Sequence, residues 1–257
     1  LTGVEVAMMN PPTRRAVSIL AFATAFAFAA SARAENPLSI QLEGGAAWQA
    51  RNDFAVPGDT GTLVRLPQGG ASSAFRASLY WDVGQRFSLR FVAAPLSTAT
   101  DFVPASPVLF QGVTFQPSER VTTDYRFDTY RVTGYWRFAP SAAWRLRAGA
   151  TLLVRDAAIG LSSATTHAEK TNTGAVPLLY GAARWQATPG FALEAEADAA
   201  AAPQGRAIDA SLKGAWTVSP RTELQLGLRA LDGGADNDEV VSFATFYYAV
   251  AGVAFRF

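Results

Sequence analysis

The 257-residue chain contains no cysteine, which excludes a disulfide framework, a thiol nucleophile and any cysteine-based metal site. Histidine occurs once, at His167, and lysine twice, at Lys170 and Lys213; the other twenty basic residues are arginine. Arginine is the less hydrated cation and forks onto carboxylates, so this bias suits confined ion pairs. Charge is scarce as well, at 17% of residues, and its signs nearly cancel, 22 basic against 21 acidic. That excludes a disordered chain, which needs high net charge and few apolar residues, and the basic surplus expected of a nucleic-acid binder.

Long apolar runs are almost absent. The first residues, LTGVEVAM, read as upstream of a true start at Met8 or Met9. Beyond them Arg14 and Arg15 form a positive n-region, Ala16 to Ala30 an apolar h-region, and Ser31-Ala32-Arg33-Ala34 a small-residue cleavage site. A helix crossing a bilayer needs about 20 apolar residues, so residues 1–34 are expected to be upstream sequence plus a cleaved secretory signal peptide. Removing them leaves 19 basic and 20 acidic residues in 35–257, the expected second segment. Its longest uncharged stretch, Val240 to Phe255, alternates and is rich in β-branched and aromatic residues, so it reads as a strand.

A period of two runs through nearly all of 35–257. Trp144, Leu146, Ala148, Ala150, Leu152 and Val154 fall on one face, with Arg145, Arg147, Gly149, Thr151 and Arg155 on the other. Phe191, Leu193, Ala195 and Ala197 likewise oppose Glu194, Glu196 and Asp198. Helical periodicity cannot produce this, because i and i+2 lie on opposite sides of a helix. Ten strands are expected near 38–55, 73–83, 86–98, 125–138, 143–157, 176–187, 190–200, 206–217, 221–232 and 240–257. Short turn-forming connections alternate with longer ones at 56–72, 99–124, 158–175, 201–205 and 233–239. The expectation is all-β: a single-domain, ten-stranded, antiparallel, up-and-down transmembrane β-barrel. Trp81, Trp136, Trp144, Trp185 and Trp216 all fall on apolar faces beside the short turns, where an aromatic girdle sits; Trp48 belongs nearer the other rim.

The last strand carries a family resemblance. Its end, Tyr247-Tyr248-Ala249-Val250-Ala251-Gly252-Val253-Ala254-Phe255-Arg256-Phe257, resembles the C-terminal signature of Gram-negative outer-membrane proteins. The segments Gly112 to Phe115, Ala201 to Ala207 and Gly233 to Val240 are also similar to parts of small proteobacterial outer-membrane proteins that lack an assigned activity. The resemblance implies a bacterial outer-membrane location, contact with membrane lipid and lipopolysaccharide, and recognition of the terminal Phe by the barrel assembly machinery.

With the apolar face on lipid, the other face points inward. On the early strands it holds Glu43, Arg76, Tyr80, Asp82, Arg90, Arg131, Tyr135, Arg137, Arg145, Arg147, Arg155 and Arg184; on the later ones Glu194, Glu196, Asp198, Asp209, Lys213, Glu223, Arg229 and Arg256. Closing the ring sets a basic wall against an acidic one. Eight strands leave room only for side chains and sixteen or more enclose a channel, so ten strands should hold a charged plug; a narrow water-filled pore uses the same residues.

Candidate chemistry is thin. His167 has Ser162, Ser163, Thr165, Thr166 and Glu169 nearby, the ingredients of a nucleophilic site, but in an ordinary polar loop. The omptin proteases, also ten-stranded, carry Asp two residues before the catalytic His, where this chain has Thr165. Lipid A deacylases carry His-x-Ser, and here Ala168 and Glu169 follow His167; the strand-borne His and Ser of the outer-membrane phospholipase are lacking too. Asp236, Asp238 and Glu239, on a Gly-rich segment, offer hard oxygen ligands for calcium, yet match neither an EF-hand nor a calcium repeat and read rather as a solvated turn. Residues 99–124, with Phe102, Phe110 and Phe115, either extend two strands as a hairpin or form a sticky surface. No enzyme activity, catalytic residue, cofactor, metal or nucleic-acid partner is expected. The expected role is envelope integrity or surface interaction, with passage of small solutes or a lipid- or peptide-modifying activity as alternatives.

Overall fold

The computed structural model describes residues 38–257; the expected leader lies outside them. Fourteen strands occur: β1 Leu38–Ala55, β2 Val64–Arg65, β3 Ala71–Asp82, β4 Phe87–Ala94, β5 Ser97–Phe102, β6 Val108–Phe110, β7 Val113–Phe115, β8 Val121–Phe138, β9 Trp144–Ser162, β10 His167–Thr188, β11 Phe191–Ala202, β12 Gly205–Ser219, β13 Thr222–Asn237 and β14 Val240–Arg256. Each long strand pairs antiparallel with its neighbour, and β14 pairs with β1 from Ser39↔Arg256 to Ala55↔Val241, which closes the ring. The wall has ten staves, the third being β4 and β5 in succession, broken at Pro95, which has no amide hydrogen to give a ladder.

Alternation sorts the side chains as the sequence implies. On β9, Trp144, Leu146, Leu152 and Val154 are exposed outward while Thr151 and Leu153 are buried inward. The outward apolar run from Trp144 to Val154 has the length a tilted strand needs to cross the hydrocarbon. Above it the outer surface turns polar: Asp128 and Asp156 face one another one step beyond Tyr130 and Val154, and Arg126 donates to Asp156 at 2.6 Å. Below it lies the girdle, with Phe87 against Trp136 (5.2 Å between centroids), Trp144 against Trp185 (6.4 Å) and Phe191 against Trp216 (5.1 Å).

The three connections after β9, β11 and β13 are shorter than expected. Residues 158–175 and 233–239 are mostly strand, leaving turns at 163–166 and 238–239, and 201–205 shrinks to a two-residue turn at 203–204. Polar side chains end the alternation above the membrane, but backbone groups there still need partners, so the ladder continues after the pattern stops.

The remaining chain folds into the mouth. Between β5 and β8, β6 and β7 form a hairpin whose turn, Gln111-Gly112, has φ of 50° and 74°. That is the primed two-residue turn, which glycine accommodates at its second position without strain. Residues 99–102 and 121–124 do extend the two strands, from Ala99↔Asp124 to Phe102↔Val121, while the β6–β7 hairpin between them folds inward and is no sticky surface. Phe110 and Phe115 are buried with Phe54, Val56, Leu66, Val121, Leu161 and Phe246, and Phe54 meets Phe110 edge to face at 5.8 Å.

Candidate functional site

The lower lumen is filled by charge. Arg90, on β4, has no exposed surface and reaches across to β11, donating to Glu196 Oε1 at 2.7 Å and to both oxygens of Asp198 at 2.9 and 2.7 Å. It also donates twice to Thr133 Oγ1, which therefore passes its own proton to Thr151 Oγ1 at 2.7 Å, and Thr151 donates to Asp198 at 2.6 Å. The guanidinium lies 4.2 Å from the ring of Tyr180, whose hydroxyl donates to Glu196 at 3.0 Å. This crossing thus joins side chains from β4, β8, β9, β10 and β11.

The pattern repeats around the ring. Arg131 bridges Asp198 and Asp209 at 3.0 and 2.6 Å; Arg76 and Arg229 also hold Asp209, at 3.0 and 2.7 Å. Arg147 pairs with Glu194, and Arg184 joins Glu194 to Glu223 at 3.2 and 2.6 Å. Glu43 receives Lys213 at 3.0 Å and Arg229 at 2.8 Å. Arg137 pairs with Asp82 near the lower rim. The basic wall does face the acidic one. Tyr80 and Tyr135 stand in the same lumen, Tyr80 donating to Gln41 at 3.2 Å and Tyr135 meeting Tyr180 at 5.4 Å. Two expected lumen residues, Arg145 and Arg256, sit exposed at the rim, because the wall ends there and nothing lies opposite to enclose them.

Above this layer lies the apolar one built by the inserted hairpin and the β1–β3 connection. To its side, beneath the β9–β10 arm, opens a cavity of about 470 Å³ lined by residues of β8 to β14. Neither the apolar layer nor the cavity was legible in the alternation, because both depend on how loops fold inward.

The candidate chemical residues are dispersed. His167 pairs with Ser162 across the β9–β10 turn, Nδ1 to Oγ at 2.8 Å, in an exposed position, and among the described residues no carboxylate hydrogen-bonds its ring. Glu239 leans 3.7 Å from Lys170, the Asp238 carbonyl accepts from Gly58 N at 2.9 Å, and Asn237 caps Glu239 and Val240. Among the described residues no three acidic or histidine side chains are arranged to hold a metal. On the outer surface above the apolar band, Arg206 and Arg51 flank the ring of Phe243 at 5.3 and 5.6 Å. The hydrogen bond from Arg206 holds the Asp232 carboxyl below the usual carboxylate range.

Closed staves, an outward apolar band, aromatic girdles and an enclosed polar lumen together define a bacterial outer-membrane β-barrel. The fold is similar to that of the outer membrane protease OmpT from Escherichia coli, at 8% identity over 88% of this chain and 99% of that one, with a TM-score of 0.58. Weaker likeness extends to Ail, the attachment invasion locus protein of Yersinia pestis, at 10% identity over 85% and 98% of the two chains with a TM-score of 0.38. No family model matches the sequence, and no curated protein matches it.

Proposed function

We propose that this chain is a non-enzymatic, essentially non-conducting outer-membrane barrel that serves envelope integrity or surface interaction, with lipid and lipopolysaccharide as its surroundings and the barrel assembly machinery as its partner during insertion. The observation that carries the reading is Arg90, fully enclosed and bonded to carboxylates on the opposite wall. A narrow pore with a transverse field would need such side chains to stand apart in water, whereas these close on each other directly. The Ser162–His167 contact lacks the carboxylate that orients a hydrolytic histidine, and proteolysis by a fold neighbour at 8% identity does not transfer by fold alone. Conductance across a planar bilayer, after the heat-dependent gel shift has verified folding, tests the reading. The expectation is a quiet membrane; unitary steps of porin size refute it.

A further inference from the structure

The wall is not laddered to the same height everywhere. β10 pairs with β11 only as far as Leu179↔Ala199, yet β10 continues along β9 to His167, while β11 runs on to Ala202 beside β12. Between residues 167–178 of β10 and the top of β11 the barrel therefore has a seam without backbone bonds. Pro177, which cannot donate to a ladder, stands at its foot. The outward residues at its foot, Ala175, Pro177 and Ala201, are small and apolar, while Thr173, Thr171 and Glu169 follow above them. Ala175 is level with Val154, so the seam opens at the upper edge of the hydrocarbon band.

Behind the seam is the 470 Å³ cavity, within the size range of small-molecule sites. Its inner lining is largely apolar, with Phe127, Leu153, Ile159, Leu178 and Phe246. One feature breaks that character. Arg155 points into it with Nε buried and unpartnered, and its Nη2 donates only to Asn172 Oδ1, at 3.1 Å. Arg131, Lys170 and Arg206 on the same lining each have a carboxylate partner; Arg155 forms no ion pair among the described residues. A guanidinium with a free donor in an apolar chamber favours a ligand that brings one anionic oxygen pair and an apolar body. Overhead, Lys170 leans toward Glu239, and Asp236 N donates to Gln204 O at 2.9 Å, so the turns of β10 to β14 are tied above the chamber while its membrane side stays unladdered.

We propose that the upper lumen binds an apolar monocarboxylate, its carboxylate on Arg155 and its tail directed through the β10–β11 seam toward the outer leaflet. The site adjoins the ionic layer, sharing Arg131 and Asp209 with it, and stands whether or not that layer conducts. Binding is measured on the full chain in lipid nanodiscs with radiolabelled decanoate, empty nanodiscs correcting for partition. Decanoate should saturate one site, with decanol and propionate each binding at least tenfold more weakly, since each lacks one half of the recognition. Hexadecanoate, compared at equal membrane concentration, should compete at least as well as decanoate, because its extra methylenes leave through the seam. Arg155→Gln should lower decanoate affinity at least tenfold, and Arg155→Lys should retain most of it. Ala200→Phe, which fills the chamber without touching the charge, should abolish binding and carries the test if Arg155→Gln does not fold. Absence of saturable binding, or equal affinity in wild type, Arg155→Gln and Ala200→Phe, overturns the site. Exclusion of hexadecanoate while decanoate binds overturns the route through the wall.

Discussion

Replacing Arg90 with methionine keeps most of the side-chain volume and removes the central cation of the lumen. Five donor contacts disappear: two to Thr133, one to Glu196 and two to Asp198. Removing one member of a buried ion pair costs about 3–5 kcal/mol, mainly because the surviving charge is left uncompensated. Here the survivors keep part of their surroundings. Asp198 retains Arg131 at 3.0 Å and Thr151 at 2.6 Å, and Glu196 retains Tyr180 at 3.0 Å with Arg147 at 3.9 Å. The expected loss therefore lies near the lower end, about 3 kcal/mol. Adding Glu196→Gln removes an acid whose main cation has gone, so the double variant should be more stable than the two single losses summed, by about 2 kcal/mol of coupling. Urea unfolding in lipid vesicles, followed by tryptophan fluorescence and the gel shift, measures all four corners of the cycle. An Arg90→Met cost below about 0.5 kcal/mol, the size of an ordinary surface change, would refute the account, as would strict additivity. The same single variant should stay electrically silent, because the apolar layer above it is untouched.

Leu228, 67% exposed at mid-band, should cost about 2–4 kcal/mol when changed to arginine, the penalty for a cation on a lipid face; a neutral result in the same unfolding assay would mean that this face meets water. Phe110→Ala should destabilise the mouth by about 3–5 kcal/mol and make residues 103–120 cleavable by added protease, whereas unchanged resistance would show that the hairpin seals nothing. His167→Ala should leave lipid A and reporter-peptide profiles of expressing cells identical to those of wild type; any product lost with the imidazole contradicts the non-enzymatic reading. Calcium should not raise the melting temperature, since Glu239 leans toward Lys170 and, among the described residues, Asp236, Asp238 and Glu239 do not converge as a metal site. A rise abolished by replacing all three acids with alanine would establish the site.

The parts of this molecule that could be read from its sequence are those fixed by the pleat. Alternation in Ala143 to Arg155 and Phe191 to Ala199 assigned lipid-facing and enclosed residues correctly except at the rim, where Arg145 is exposed, since a strand in a closed ring has only two sides. It also put Arg90, Glu196 and Asp198 in one interior, though not in contact, because which stave faces which depends on shear and tilt. Thr133 and Tyr180 escaped notice, and Thr151 was placed only on the polar face, because neutral side chains give no sign of membership in an ionic network. The ends of β9, β10 and β13 were placed too low for a related reason: above the membrane both faces are polar and the period vanishes while hydrogen bonding persists. Arg155 was recognised as inward, but its lack of a counter-charge emerges only once every other cation has been matched to its acid.

Glu43 belongs to the first stave, and the two cations it holds, Lys213 and Arg229, belong to the eighth and ninth. No sequential hairpin can bring them together; only the circularised chain does. A ring left unsealed between its first and last strands, or sealed one residue out of step, strands buried Lys213 without an acid and leaves Arg229 only Asp209. The carboxylate thus acts as a latch that proofreads closure, and it reports correct register from inside the molecule, where neither lipid nor solvent can imitate it.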